Sequence, residues 1–160
     1  VALTCTALIR TLIGLVPAVL IAIPLFGISL MDLGLPLLLL LLSLYLFGIT
    51  LGLLVTAGLV RFGPSFENIA WASLFFIAPL GCIYYPVEIL PNWLQVVALA
   101  LPLAHIFEET RSILITNTVN YMNIYNALML NLVYLSIALL TFYRSFKTAK
   151  IKGSLINVGE

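Results

Sequence analysis

Long uncharged runs separated by short polar breaks set the pattern of this chain. No charged residue falls between Arg10 and Asp32, and none between Leu35 and Val60. A helix crosses about 30 Å of hydrocarbon with about 20 apolar residues, so these runs predict spans at residues 11–30 and 35–60. Pro17 and Pro24 lie within the first, where neighbouring helices can absorb a proline kink. Asp32 and Gly34 mark the turn after it. In the second run Gly48 and Gly52 are four residues apart, a spacing that lets membrane helices approach closely. A polar turn, residues 61–68, follows. Ser65 or Asn68 is placed to cap the next helix, with Glu67 in its first turn suiting the helix dipole. A third span is predicted at residues 69–84 and a fourth at 127–142. Residues 117–126 between them are polar but uncharged, with Tyr121 and Tyr125 suited to an interface.

The stretch 84–111 breaks this rhythm. Pro86, Pro91 and Pro102 prevent one continuous helix, yet the segment is too apolar for a surface loop. Irregular backbone at membrane depth survives only where protein or a water-filled cavity satisfies its polar groups. A re-entrant or interfacial pair of short helices, within residues 85–116, is the expectation. On a helix beginning at Pro102, His105 lies three and four residues from Glu108 and Glu109, and Glu108 lies three from Arg111, so these side chains share one face. Leu103, Ile106, Phe107, Thr110 and Leu114 form the apolar face.

Composition turns these runs into a membrane protein. Of 160 residues, 63% are hydrophobic and 8% charged, against about 25% charged in a soluble domain; mean hydropathy is +1.21. The fold class is therefore all-α, a single transmembrane domain over residues 1–160. Four spans place Arg10, Arg61 and the basic tail (Arg144, Lys147, Lys150, Lys152) on one side, and Asp32, Glu88, Glu108, Glu109 and Arg111 on the other. The positive-inside rule makes the first side cytoplasmic, with both ends of the chain, and turns the 84–111 element outward. Val1 stands first, with no charged segment and cleavage site before the first apolar run, so neither a signal peptide nor a natural translation start is read here, and the sequence is expected to be a fragment or a protein whose beginning is absent. Cys5 and Cys82 are assigned to opposite faces, too far apart for a disulfide.

Several chemistries are excluded or weakened. No basic patch suggests nucleic acid, and no Walker A loop cradles phosphates. The spans carry no Asp, Glu, Lys, Arg or His, so an ion-coupled carrier lacks its charges at membrane depth. His105 is the lone histidine and has no grouped partners for a metal site. No catalytic residue, metal ligand or cofactor is assigned.

Taken in order, Arg61-Phe62-Gly63, Tyr85-Pro86-Val87-x-x-Leu90-Pro91, Trp93-Leu94-Gln95 and Leu101-Pro102-Leu103-x-His105-x-x-Glu108-x-x-Arg111 resemble the signature of the type 2 ABC transporter permeases. The resemblance covers essentially the whole chain and matches the last four spans of a six-span bundle. It implies the transmembrane subunit of an ATP-driven exporter of lipid-linked glycans, lipids or drug-like molecules, in a bacterial inner membrane. It also implies a second permease copy, and an ABC ATPase subunit that holds the ATP and Mg. Trp71, Phe75 and Phe76 are the expected path lining. Tyr85, Pro86, Leu90, Pro91, Pro102, His105, Glu108 and Arg111 form the expected outer gate, and Arg61, Phe62 and Gly63 the loop facing the ATPase. Two other classes stay open: a non-transporting structural subunit or truncated permease, and an intramembrane enzyme using His105.

Overall fold

The structure is a computed structural model that describes residues 30–116 and 118–152, together with residues 6, 9, 10, 13, 14 and 17. Of the span expected at 11–30 only residues 13, 14, 17 and 30 are described, and Cys5 and the tail beyond residue 152 lie outside the described residues. Contacts divide the chain into two compact units, Val1–Leu38 and Leu39–Glu160. The described elements are five α-helices and a single 3-10 turn: α1 Leu30–Phe62, α2 Phe66–Leu80, the turn Val87–Ile89, α3 Asn92–Leu99, α4 Pro102–Thr116 and α5 Tyr121–Lys152. No strand occurs among the described residues.

Gly34 interrupts α1 with φ 45° and ψ −132°, a conformation open to glycine because it lacks a Cβ. The break expected at Asp32–Gly34 is thus present as non-helical backbone at Gly34, where two helical stretches meet across a kink, and Pro36 sits in the first turn after it, where a missing N–H costs nothing. Beyond the kink, α1 buries Leu40, Ser43, Phe47, Thr50 and Ala57, steps of three, four and seven that define one helical face. Gly48 and Gly52 lie off that face: a Cβ at either would meet nothing within 4 Å. The glycine pair makes no close approach among the described residues.

The Arg61-Phe62-Gly63 turn ends α1. Gly63 has φ 81°, and its N–H donates to the Leu59 carbonyl at 2.9 Å, which is the left-handed cap of a helix terminus. Phe62 and Phe66 stack with centroids 5.7 Å apart, and the Arg61 guanidinium lies 5.4 Å from the Phe62 ring. Gly58 leaves room for Phe66, whose ring a Cβ there would overlap. The capping expectation is corrected. Ser65 occupies the N-cap position of α2 without a side-chain bond, and Asn68 is an exposed residue within the helix. The Phe66 and Glu67 N–H groups instead donate to the carbonyls of Gly63 and Pro64.

Among the described residues, helices α1 and α5 are the two long and apolar enough to cross a membrane, over Gly34–Phe62 and Tyr121–Ile151. The third expected span, at 69–84, is the shorter helix α2. Its 15 residues reach about 22 Å, less than the hydrocarbon thickness. Pro79, Gly81 and the left-handed Cys82 (φ 54°) end it before Tyr84. The fourth begins six residues earlier than expected, where Asn120 caps it: the Asn120 Oδ1 accepts from the Met122 N–H at 3.0 Å; it runs on as helix to Lys152.

Inside the second unit α4 and α5 pack on each other most extensively. Helix α5 buries Ile124, Ala127, Asn131, Ala138, Ser145 and Ala149. Where it meets α1, the Asn131 amide nitrogen donates to both the carbonyl and the hydroxyl of Ser43, at 2.9 and 2.7 Å.

Candidate functional site

The residues expected as an outer gate fold into one hairpin between α2 and α5. Its core is Cys82, Val87, Leu90, Ala98 and Ala104, with Tyr85 and Leu94 packed against it. Each proline sits where its ring is an asset. Pro86 precedes the 3-10 turn and Pro91 precedes α3, both in extended backbone. Pro102 is the first residue of α4, where helices lack an internal acceptor for that N–H anyway. The Tyr85 hydroxyl donates to the Pro79 carbonyl at 2.8 Å, and the Gln95 amide donates to the Leu90 carbonyl at 2.8 Å. Gly81 lets the end of α2 lie against α4, since a Cβ there would come within 2.9 Å of the Leu103 side chain.

The ionic residues of α4 divide rather than cluster. Glu108 accepts from the Val87 N–H at 2.8 Å and pairs with Arg111 at 2.7 Å. Arg111 in turn donates to the Cys82 carbonyl at 3.1 Å. Together they clasp both ends of the 82–87 segment to α4, and a carbonyl and an N–H left free by the irregular backbone gain charged partners. His105 does not join them. Its Nε2 lies 2.9 Å from the Leu99 carbonyl, so that nitrogen carries the proton and closes the α3–α4 corner. The Cys82 thiol is pushed above its usual range by burial, reinforced by the Glu108 charge and partly offset by Arg111.

Glu109 is the residue that spacing misplaced. Instead of sharing one face with His105 and Glu108, it is 0% exposed. It accepts from the Asn120 N–H at 2.6 Å and the Asn123 side-chain amide at 3.0 Å. A carboxylate at the start of α5 meets unsatisfied N–H groups and the positive end of the helix dipole. The buried face of α4, Leu103, Ala104, Ile106, Glu109 and Ile113, is thus rotated away from the expected one, and Leu114 is exposed. The signal for this was present: an asparagine-rich stretch, Asn117 to Asn126, directly follows α4 in the sequence.

The aromatic set is placed differently. Trp71, Phe75 and Phe76 on α2 are 59, 77 and 72% exposed, directed away from the rest of the chain. Arg61 and Phe62 are also exposed, at the α1–α2 turn. The hairpin, the aromatic face and the Arg61–Gly63 turn are therefore three separate places on the chain. No group of three or more His, Cys, Asp or Glu side chains able to hold a metal occurs among the described residues. No family model, curated protein or solved structure matches the chain.

Proposed function

We propose that this chain is the transmembrane subunit of an ATP-driven exporter of the type 2 ABC kind, working beside a second permease copy in a bacterial inner membrane. The supporting observation is the hairpin. A pair of short helices stands between an apolar helix and a long candidate span, and is held by the same Tyr85, Pro86, Gln95, Pro102, His105, Glu108 and Arg111 that carry the resemblance. In this proposal α2 and the segment at 11–30 complete four spans, with both ends of the chain cytoplasmic and the hairpin outward. The hairpin then covers the outer end of a path for a lipid-linked glycan, lipid or drug-like molecule. The exposed Trp71, Phe75 and Phe76 offer flat apolar surfaces to such cargo. Arg61–Gly63 meets a separate ATPase that supplies ATP and Mg, since the chain has no Walker A loop of its own.

The test is assembly and turnover. The tagged chain, expressed in its own cell, is expected to copurify with a protein containing a Walker A loop, and the complex to hydrolyse ATP. Arg61→Glu should release that partner. Phe75→Ala should leave the complex assembled but slow lipid-stimulated hydrolysis. A chain that purifies alone at full yield, or a complex without ATPase activity, refutes the proposal.

A further inference from the structure

Helix α5 is longer than a bilayer core. Its 32 residues extend about 48 Å at 1.5 Å per residue, against about 30 Å of hydrocarbon. Exposed tyrosines mark where the excess lies. Tyr125 and Tyr143 are both exposed and stand about 27 Å apart along the axis, a separation suited to the two aromatic belts of a membrane. The helix continues for nine residues past Tyr143, to Lys152.

That continuation is sorted by charge. Arg144, Lys147 and Lys150 are exposed, and at 100° per residue they occupy an arc of about 120°. Ser145 and Ala149, which are buried, are centred on the opposite side. The three cations rise about 1.5, 6 and 10 Å beyond Tyr143, through the depth of a headgroup layer and within about one Debye length of its surface. No acidic residue follows Glu109 before Glu160, and the only ion pair among the described residues is Glu108–Arg111.

We infer that Arg144, Lys147 and Lys150 form a docking face for the phosphates of anionic phospholipid on the inner leaflet. The occupant follows from charge complementarity and from continuity with the span. A helix that leaves hydrocarbon at Tyr143 carries these side chains through headgroups before it reaches water. Three cations projecting from one side of a rigid helix keep their spacing, so they engage a lipid layer without first paying to order a loop. The inference rests on α5 as a span.

The experiment uses the purified full chain in neutral detergent, titrated with phosphatidylglycerol or phosphatidylcholine while thermal unfolding is followed. Phosphatidylglycerol is expected to raise the unfolding temperature, phosphatidylcholine is not, and high salt should abolish the difference. Each surface cation is worth roughly fivefold in affinity for an anionic layer, so Arg144→Gln/Lys147→Gln/Lys150→Gln should shift the titration by about 150-fold. The charge-preserving set Arg144→Lys/Lys147→Arg/Lys150→Arg should titrate like the wild type. The salt arm needs no variant and so stands even if the triple substitution impairs folding. An unchanged titration in the neutral triple variant, or a wild-type response insensitive to salt, overturns the inference. So does an equal response to inorganic phosphate or to polyglutamate, which would assign the face to a free anion or an acidic protein. A chain extracted from membranes by alkaline carbonate overturns the span as well. One that stays embedded yet ignores phosphatidylglycerol overturns the lipid face alone.

Discussion

Glu109→Gln isolates what a buried charge does at the start of α5. The carboxylate has two acceptor contacts, to the Asn120 N–H and the Asn123 amide, and no exposure to water. Glutamine keeps the volume and one acceptor oxygen. Its NH2 group then faces the Asn123 NH2, a conflict that an Asn123 amide flip relieves. What is lost is the charge. Bonds to a charged acceptor contribute about 1 kcal/mol more than neutral ones, and the dipole interaction adds about 0.5–1 kcal/mol. Removing the desolvation cost of the carboxylate offsets part of this, leaving a net loss of roughly 1–3 kcal/mol. Glu109→Ala strands both donors and opens a cavity, and should cost about 3–5 kcal/mol. Hydrogen exchange followed by mass spectrometry reads the effect locally. Amides around Asn120–Asn123 should exchange roughly five- to 150-fold faster in Glu109→Gln, with a smaller change in Asn123→Ala, which removes one bond. Wild-type exchange there in Glu109→Gln, together with an unchanged unfolding midpoint, would refute the assignment of Glu109 as the cap of α5.

Other expectations follow from the same geometry. Arg111→Gln should free the 82–87 segment and make Cys82 accessible to maleimide at neutral pH. In the wild type the thiol is buried and its pKa raised by that burial, so it should react more slowly than an exposed cysteine at the same pH. Folding favours the protonated thiol, so its stabilising share is complete below the unfolded pKa and disappears as pH rises through the folded one; pH-dependent unfolding of Cys82→Ser should lack that loss. Gly81→Ala should destabilise by about 1–3 kcal/mol through collision with Leu103, and Gly63→Ala by about 1 kcal/mol through its left-handed backbone. Gly52→Ala should be neutral in the isolated chain, by thermal unfolding in detergent. Asn131→Leu should cost less than about 1 kcal/mol, in line with polar pairs between membrane helices, because the amide oxygen it removes has no hydrogen-bond partner.

Much of the architecture is legible in the apolar runs, because a helix in lipid must satisfy its own backbone and long uncharged stretches have few alternatives. Gly34 and the Arg61–Gly63 turn likewise announce themselves, as a glycine beside a proline-bearing run and a glycine after a basic last turn. Boundaries set by tertiary partners are not legible in this way. Residues 121–126 read as interface loop on composition, yet they are helix: the Asn120 side chain accepts from the Met122 N–H, and Glu109 holds the Asn120 N–H and the Asn123 side-chain amide. Pro79 and Gly81 announce the end of α2, but the partner that holds the loop after it, Arg111, lies 29 residues beyond Cys82 in the sequence. His105, Glu108 and Glu109 share a face by spacing alone. In the folded chain each answers to a different segment, and spacing carries no information about which neighbour lies opposite.

Glu108 and Glu109 are consecutive, so on α4 they point about 100° apart, and each is fastened to a different neighbour: one to Val87, the other to Asn120. A helix held at a single azimuth can roll about its own axis. One held at two cannot, without releasing at least one carboxylate. Helix α4 is therefore torsionally pinned between the end of α2 and the beginning of α5, and any displacement of either has to carry it bodily rather than spin it. A shift in the last long helix would reach Tyr85 and Pro86 as a translation of the whole hairpin, with its internal geometry preserved.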